Sequence, residues 1–195
     1  MSTAVDSFLK YQSTQDWLDC VLSDFNTFLI DHAACERKAS ATCLSFVVKY
    51  PDKLELVDTM IRLAREELEH FHEVFHLLEQ RNLKLGPDEK DPYVNQLIEL
   101  SRTGVEERLM DRLLLSGIIE ARGCERFYMI GQALKDPKLA QFYIDLSKSE
   151  ERHHIFFVEL ARKHFPNRNV DARLEELLEA EAKIVAKLPL RPYLH

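Results

Sequence analysis

Residues that interrupt helices are rare in this sequence, and they divide it into a few long blocks. Only five glycines and seven prolines occur among 195 residues, which leaves little material for the tight turns of an all-β fold. The interruptions lie at residues 51–52, 85–92 and 136–137, and each contains a residue that ends one helix or caps the next. We therefore predict helices over residues 13–50, 52–81, 92–135 and 136–164, followed by a charged segment over 170–187. An interruption of the third block near residues 102–104 stays open.

Apolar residues recur in steps of three and four along each of the four long blocks. In the second block, for example, Met60, Leu63, Val74 and Leu77 lie on this spacing. Such a pattern places apolar side chains on one face of a helix, and that face must be buried against other helices. With 46% hydrophobic and 30% charged residues, the composition is that of an ordinary globular protein. The sequence thus predicts an all-α fold built on a four-helix bundle.

The charge balance of the chain is acidic. Lys and Arg number 26 against 33 Asp and Glu, which gives a formal net charge of −7 and excludes a uniformly basic surface for nucleic acid. A local basic patch is still allowed. The N-terminus has no basic region followed by an apolar stretch, and no apolar run approaches the roughly 20 residues that span a bilayer. We expect a cytoplasmic protein that does not associate with membranes.

Each of the four apolar stripes contains a glutamate near its middle, where a leucine would be ordinary. The four carboxylates are Glu36, Glu67, Glu120 and Glu150, and two of them are followed three residues later by His70 and His153. A buried and unpaired carboxylate costs several kcal/mol, so these residues require protons, cations or metal ions nearby. Residues three apart lie on one face of a helix, so each Glu-x-x-His pair can bind one ion.

Four carboxylates and two imidazoles suit a pair of iron or manganese ions, and a ferritin-like bundle presents such a set from its four helices. The spacing also repeats, because Glu36 precedes Glu67 by 31 residues and Glu120 precedes Glu150 by 30. Two similar helical hairpins would produce this repeat. We therefore expect a single ferritin-like diiron domain over residues 1–195, with a core bundle at about 13–164 and a C-terminal helix at about 170–187.

Several alternatives to this assignment stay open. The pair Glu151/His154 overlaps Glu150/His153, although the apolar stripe of the fourth helix favours the latter. Two further Glu-x-x-His matches are predicted to lie on the solvated face of the second helix: Glu69/His72 and Glu73/His76. In the remaining alternative all six candidate ligands are solvated surface charges, which would require a wrong helical phase in four separate helices.

Three stretches of the sequence show a family resemblance: residues 28–39 around Glu36, residues 64–71 around Glu67-Leu68-Glu69-His70, and residues 149–154. There the chain resembles the ferritin-like diiron-carboxylate proteins and, more narrowly, the tRNA-(2-methylthio-N6-isopentenyladenosine) hydroxylases of the MiaE family. The resemblance implies a nonhaem diiron monooxygenase that uses dioxygen and two electrons. Its substrate would be the isopentenyl group of that nucleoside, next to the tRNA anticodon.

The resemblance also implies a role for each candidate ligand, and all six would act in catalysis through the metal ions. Glu36 and His70 would be terminal ligands of one iron ion. The terminal ligands of the other would be Glu120 and His153. Glu67 and Glu150 are the candidates for bridging carboxylates. The electron donor is unknown.

A ferritin-like protein that stores iron or scavenges peroxide could use the same six ligands and is the alternative function. A metal-free helical interaction protein is a third possibility if the six residues are solvated. A tRNA substrate requires cations to contact its phosphates, and the segment 162–173, extended by Lys183, Lys187 and Arg191, is the candidate patch. The competing candidates are Arg37, Lys38, Arg122 and Arg126.

Overall fold

Seven α-helices follow one another in the computed structural model, which describes residues 7–87 and 89–195 and contains no strand within those ranges. They are α1 Gln15–Ser23, α2 Phe25–Lys49, α3 Leu54–Gln80, α4 Pro92–Glu99, α5 Val105–Ala133, α6 Pro137–His164 and α7 Val170–Val185. The helices expected over 52–81, 136–164 and 170–187 are confirmed to within a few residues. The third block is interrupted between α4 and α5, at the position left open above. Among the described residues, no helix is long and apolar enough to cross a membrane.

The first block contains two helices, whereas we had expected one helix over 13–50. The break falls at Asp24, whose carboxylate accepts a hydrogen bond from the Thr27 backbone N–H at 3.2 Å. An aspartate in this position satisfies an N–H group that the first turn of a helix leaves without a partner. Apolar spacing continues through the break, so periodicity alone did not reveal it.

The helices belong to two compact units. Within the described ranges, residues 20–87, 89 and 191–194 form the α2–α3 unit, and residues 7–19, 90–190 and 195 form the α5–α6 unit. One domain over residues 1–195 stays a prediction.

In the α2–α3 unit, two long antiparallel helices pack along their length. Their buried faces include Phe28 and Leu29 from α2 and Leu56 and Met60 from α3, all fully buried. The Ser40 hydroxyl donates a hydrogen bond to the Ala64 carbonyl oxygen of the facing helix at 2.7 Å. This bond fixes the register of the two helices one turn from Glu36 and Glu67.

In the α5–α6 unit, two glycines of α5 allow a close approach to α6. A Cβ atom on Gly117 would lie 3.1 Å from Val158 Cγ2, and one on Gly131 would lie 2.8 Å from the Ile144 side chain. The start of α6 is fixed by Asp136, whose carboxylate accepts from the backbone N–H groups of Lys138 and Leu139. With Pro137 in the first turn, this is the N-terminus that the sequence predicted.

Helix α7 and the segment between α4 and α5 are tied to α5 by a buried carboxylate. Asp111 of α5 is fully buried and accepts hydrogen bonds from the guanidinium groups of Arg102 and Arg173. Burial by itself raises the pKa of Asp111, but these hydrogen bonds outweigh burial and hold the pKa below its ordinary value of 3.8. Asp111 is therefore ionised at neutral pH.

Candidate metal centre

The α2–α3 unit brings Glu36, Glu67 and His70 together, and we call this set the Glu36 triad. Each residue offers a ligand atom within 4.8 Å of the others. His70 Nδ1 lies 3.5 Å from Glu67 Oε2 and 3.8 Å from Glu36 Oε2. Both carboxylates are buried, with exposed fractions of 4% for Glu36 and 1% for Glu67. The set follows from Glu-x-x-His on α3, which places both side chains on the helix face that packs against α2.

A fourth polar side chain, that of His32, lies beside the Glu36 triad, and the sequence had predicted no role for it in the site. It lies one turn before Glu36 on α2 and is fully buried. Its Nε2 atom is 2.7 Å from Glu36 Oε1. The spacing of four residues between a histidine and a candidate ligand on one helix was the available sequence signal, because residues i and i+4 are neighbours on a helix surface.

The α5–α6 unit brings Glu120, Glu150 and His153 together, and we call this set the Glu120 triad. Their ligand atoms also lie within 4.8 Å of one another. His153 Nδ1 is 3.1 Å from Glu150 Oε2. His153 is fully buried and Glu150 nearly so, whereas Glu120 of α5 is half-buried.

The overlapping pair Glu151/His154 is placed differently. Glu151 is half-buried, and His154 Nδ1 lies 3.1 Å from the Gly117 carbonyl oxygen. A carbonyl oxygen can only accept, so His154 carries its proton on Nδ1. Burial lowers the pKa of His154 below its ordinary value of 6.5, which favours the neutral ring. The geometry therefore favours Glu150/His153 over Glu151/His154 as candidate ligands.

The other two Glu-x-x-His matches lie on the solvated face of α3, as the sequence predicted. All four side chains are exposed: Glu69, His72, Glu73 and His76. His76 Nδ1 contacts Glu79 Oε2 at 2.9 Å, also on the exposed face. These pairs have the spacing of a ligand pair without its burial, and they provide matched controls for experiments on the Glu36 triad.

The donor sets of the two triads fit a transition-metal ion. Each contains two carboxylates and one imidazole, the oxygen and nitrogen ligands that suit iron and manganese. Burial of two carboxylates beside each other is unfavourable unless a positive charge compensates it. A divalent or trivalent ion held by each triad would provide that charge. The chemistry of each triad is thus consistent with binding one such ion.

Two of the competing candidates for tRNA contact are wrong. Arg122 and Arg126 are 0% and 4% exposed, respectively, so neither guanidinium can reach a phosphate. Arg122 instead donates to Glu181 Oε1 at 2.8 and 2.9 Å and to Glu125 Oε2 at 2.5 Å. Tyr93 donates to the same Glu181 oxygen at 3.0 Å. We call the four residues joined by these bonds the arginine network: Arg122, Glu181, Glu125 and Tyr93. The pattern of charged residues did not show that this part of α5 faces inward.

The predicted RNA-contacting segment 162–173 is less basic than its sequence indicates. Its three arginines are paired with carboxylates: Arg162 with Asp171, Arg168 with Glu107, and Arg173 with Asp111. These acids come from the segment itself and from α5, and they offset much of its charge. A role of this segment in tRNA binding stays a prediction.

Helices that present two triads of carboxylates and imidazole define the class of this protein, which is all-α and ferritin-like. A structural comparison confirms the class. The solved structure named "Protein 43 with aldehyde deformylating oxygenase activity", from Synechococcus, is 34% identical to this chain, with a TM-score of 0.91 over 96% of this chain and 95% of that one. The predicted ferritin-like fold with additional terminal helices is thereby confirmed.

Sequence comparison then identifies the family. The family model described as "tRNA-(MS[2]IO[6]A)-hydroxylase (MiaE)" matches residues 1–195, and the chain therefore belongs to the MiaE family. Two relatives carry the name tRNA 2-(methylsulfanyl)-N(6)-isopentenyladenosine(37) hydroxylase. The one from Pseudomonas putida is 37% identical over 93% of this chain and 88% of its own length. The one from Salmonella typhimurium is 27% identical over 92% of this chain and 84% of its own length. The predicted family and the predicted hydroxylase class are confirmed.

Proposed function

We propose that this protein hydroxylates the isopentenyl group of 2-methylthio-N6-isopentenyladenosine next to the anticodon of tRNA. The observation that carries the proposal is the family match over residues 1–195. Two relatives named for this reaction, each aligned over more than nine tenths of the chain, support the same substrate. The reaction is expected in the cytoplasm, where tRNA is modified.

The cofactor of this reaction would be a pair of iron ions, one held by each triad. Glu36, Glu67 and His70 would bind one ion, and the Glu120 triad would bind the other. The burial of four of these side chains supports the assignment, because a bound cation compensates the charge of a buried carboxylate. When bound, iron supplies the redox chemistry that an unactivated allylic C–H bond requires and that no amino-acid side chain offers.

The side chains of the triads would hold and orient the ions. The carboxylates provide hard oxygen ligands and the imidazoles provide neutral nitrogen ligands, so the total charge of the site stays small. In the overall reaction, one atom of dioxygen enters the C–H bond and the other leaves as water. That balance consumes two electrons and two protons, so an electron donor is a required partner.

The alternative function, iron storage or peroxide scavenging, would use the same ligands without an organic substrate. The match to a family of tRNA hydroxylases over the whole sequence favours hydroxylation. A storage protein would produce ferric mineral and leave tRNA unchanged. The two functions therefore differ in a product that can be measured directly.

The experiment that tests the proposal is nucleoside analysis of tRNA by liquid chromatography and mass spectrometry. Cells that lack this chain should accumulate the isopentenyl nucleoside, and a plasmid encoding the chain should restore the hydroxylated form. In vitro, the iron-loaded protein with a reductant and dioxygen should convert the same nucleoside in purified tRNA. Unchanged tRNA in both experiments, with iron oxidation intact, would support storage instead.

Matched variants on α3 connect this activity to the Glu36 triad. Glu67→Ala should abolish hydroxylation, because it removes a buried candidate ligand. Glu69→Ala, two residues further along the same helix and exposed, should retain it. Equal activities of the two variants would contradict the ligand assignment while leaving the family assignment intact.

A further inference from the structure

His32 is a buried polar residue of α2 whose side chain contacts the candidate ligand Glu36. It lies one turn before Glu36, is fully buried, and places Nε2 2.7 Å from Glu36 Oε1. The Phe28 ring lies one turn further back, with its centroid 5.7 Å from the centroid of the imidazole. The imidazole is therefore enclosed by protein, with an aromatic ring on one side and a candidate ligand on the other.

The direction of the hydrogen bond follows from the chemistry of its partners. An ionised carboxylate can only accept, so His32 Nε2–H donates to Glu36 Oε1. The other oxygen of the same carboxylate, Oε2, lies 3.8 Å from His70 Nδ1, on the side of the triad. One oxygen of Glu36 is therefore engaged by His32, and the other is directed toward the remaining ligands.

We propose that His32 is a positioning residue that fixes Glu36 so that a single oxygen, Oε2, binds iron. The inference rests on the proposed function, because it requires that the Glu36 triad binds an iron ion. Residues that hydrogen-bond to metal ligands orient those ligands and tune the metal. The corresponding position in the other unit, four residues before Glu120, is Ser116. The two iron ions are thus expected to differ in affinity and in spectrum.

The test compares two substitutions of similar volume at the same position. His32→Leu keeps the bulk and removes the donor, whereas His32→Gln keeps an N–H donor on a side chain of similar reach. Each variant is loaded with ferrous iron, and the release of iron to a coloured chelator is followed over time. We expect His32→Leu to bind one of its two ions about 10–100-fold more weakly than the wild type, the usual effect of removing such a partner, and therefore to release that ion faster. His32→Gln should release iron at a rate close to that of the wild type, because it keeps the donor.

A spectroscopic measurement separates positioning from packing. In the Mössbauer spectrum of protein loaded with ⁵⁷Fe, one of two iron signals should change in His32→Leu, and the other should stay unchanged. His154→Leu is the matched control, because His154 is also buried but its imidazole donates to the Gly117 carbonyl oxygen. This control should release both ions within about twofold of the wild-type rate.

Three results would overturn the inference while leaving the proposed function intact. They are wild-type release in His32→Leu, equal acceleration in His32→Leu and His32→Gln, and equal acceleration in the His154→Leu control. Circular dichroism and urea unfolding confirm that each variant is folded, and His32→Met replaces the leucine variant if that does not fold. A wild-type protein that binds no iron would instead contradict the proposed function itself.

Discussion

Helix α5 contributes to two polar sites within three residues, and their carboxylates have different kinds of partner. Arg122 belongs to the arginine network, in which its guanidinium binds Glu181 and Glu125 at distances of 2.5–2.9 Å. Glu120 belongs to a triad whose other members are a carboxylate and an imidazole. An arginine stays charged at any ordinary pH, whereas a neutral imidazole is a metal ligand. The comparison indicates that the arginine network serves folding, whereas metal binding by the Glu120 triad stays our proposal.

The largest expected effect on stability comes from the arginine network. Arg122→Met keeps the packing of the side chain but leaves buried carboxylates without their main cation. We expect the free energy of unfolding to fall by about 3–5 kcal/mol, the usual cost of breaking a buried ion pair. Urea unfolding followed by circular dichroism measures it. The iron content per folded chain should stay at the wild-type value, and a parallel loss of iron would remove the distinction between the two sites.

A substitution in the Glu120 triad should lower the iron content and have a smaller effect on the free energy of unfolding. Glu150→Ala removes a buried candidate ligand, so bound iron should fall from about two ions per chain to about one or less. The free energy of unfolding of the apo protein should change less than it does in Arg122→Met. Metal analysis by mass spectrometry and urea unfolding measure the two quantities. Glu151→Ala, at the half-buried neighbouring position, is the control and should keep two ions.

Asp91, at the start of α4, is a third kind of carboxylate, because its side chain pairs with a histidine, His195. Its contribution to stability should depend on pH in the acid range. Burial alone raises the pKa of Asp91, but the hydrogen bond and charge of His195 and the backbone N–H groups of Tyr93 and Val94 lower that pKa to about 2 from 3.8. Because the pKa is lower in the folded state, the stabilisation is complete above about pH 4 and is lost as the pH falls toward 2. It is worth about 2 kcal/mol.

Asp91→Asn tests this pH dependence. The variant should be less stable than the wild type by about 2 kcal/mol at pH 7, and the difference should shrink between pH 4 and pH 2. Urea unfolding at a series of pH values measures it. A difference that is constant over this range would show that the charge of Asp91 does not contribute.

The smallest effect is expected at an exposed ion pair. The side chains of Arg162 and Asp171 are 52% and 72% exposed, although their atoms lie 2.8 Å apart. Exposed pairs contribute about 0–1 kcal/mol, so Arg162→Ala should change the free energy of unfolding by less than about 1 kcal/mol. If Arg162→Ala lowered the free energy of unfolding as much as Arg122→Met does, exposure would not explain the difference between the two ion pairs.

The order and approximate bounds of the helices could be predicted from the sequence, with one exception. The breaks at residues 51–52 and 136–137 contain proline, which excludes a continued helix for local reasons. The break at Asp24 was missed, because an aspartate inside a helical pattern is as compatible with an exposed helical position as with a cap. Local propensities do not choose between these roles.

The candidate site was predicted in part. The six residues of the two triads followed from glutamates on apolar stripes, because an i, i+3 spacing fixes which side chains share a helix face. Their assignment as iron ligands stays a prediction. His32 was missed as a partner of Glu36, and Arg122 was misplaced on the surface. The error at Arg122 concerns burial, which depends on packing that a single helix does not specify.

What the sequence alone determined is therefore what short-range periodicity can encode: long amphipathic helices with glutamates and histidines on their apolar faces. The tertiary structure decided how each buried charge is neutralised. Arg122 and Glu181 are 59 residues apart in the chain, yet they form an ion pair because α5 and α7 pack together. Glu36, by contrast, contacts histidines. Whether a buried carboxylate contacts an arginine or an imidazole depends on which helices pack around it, and residues far apart in the chain decide that packing.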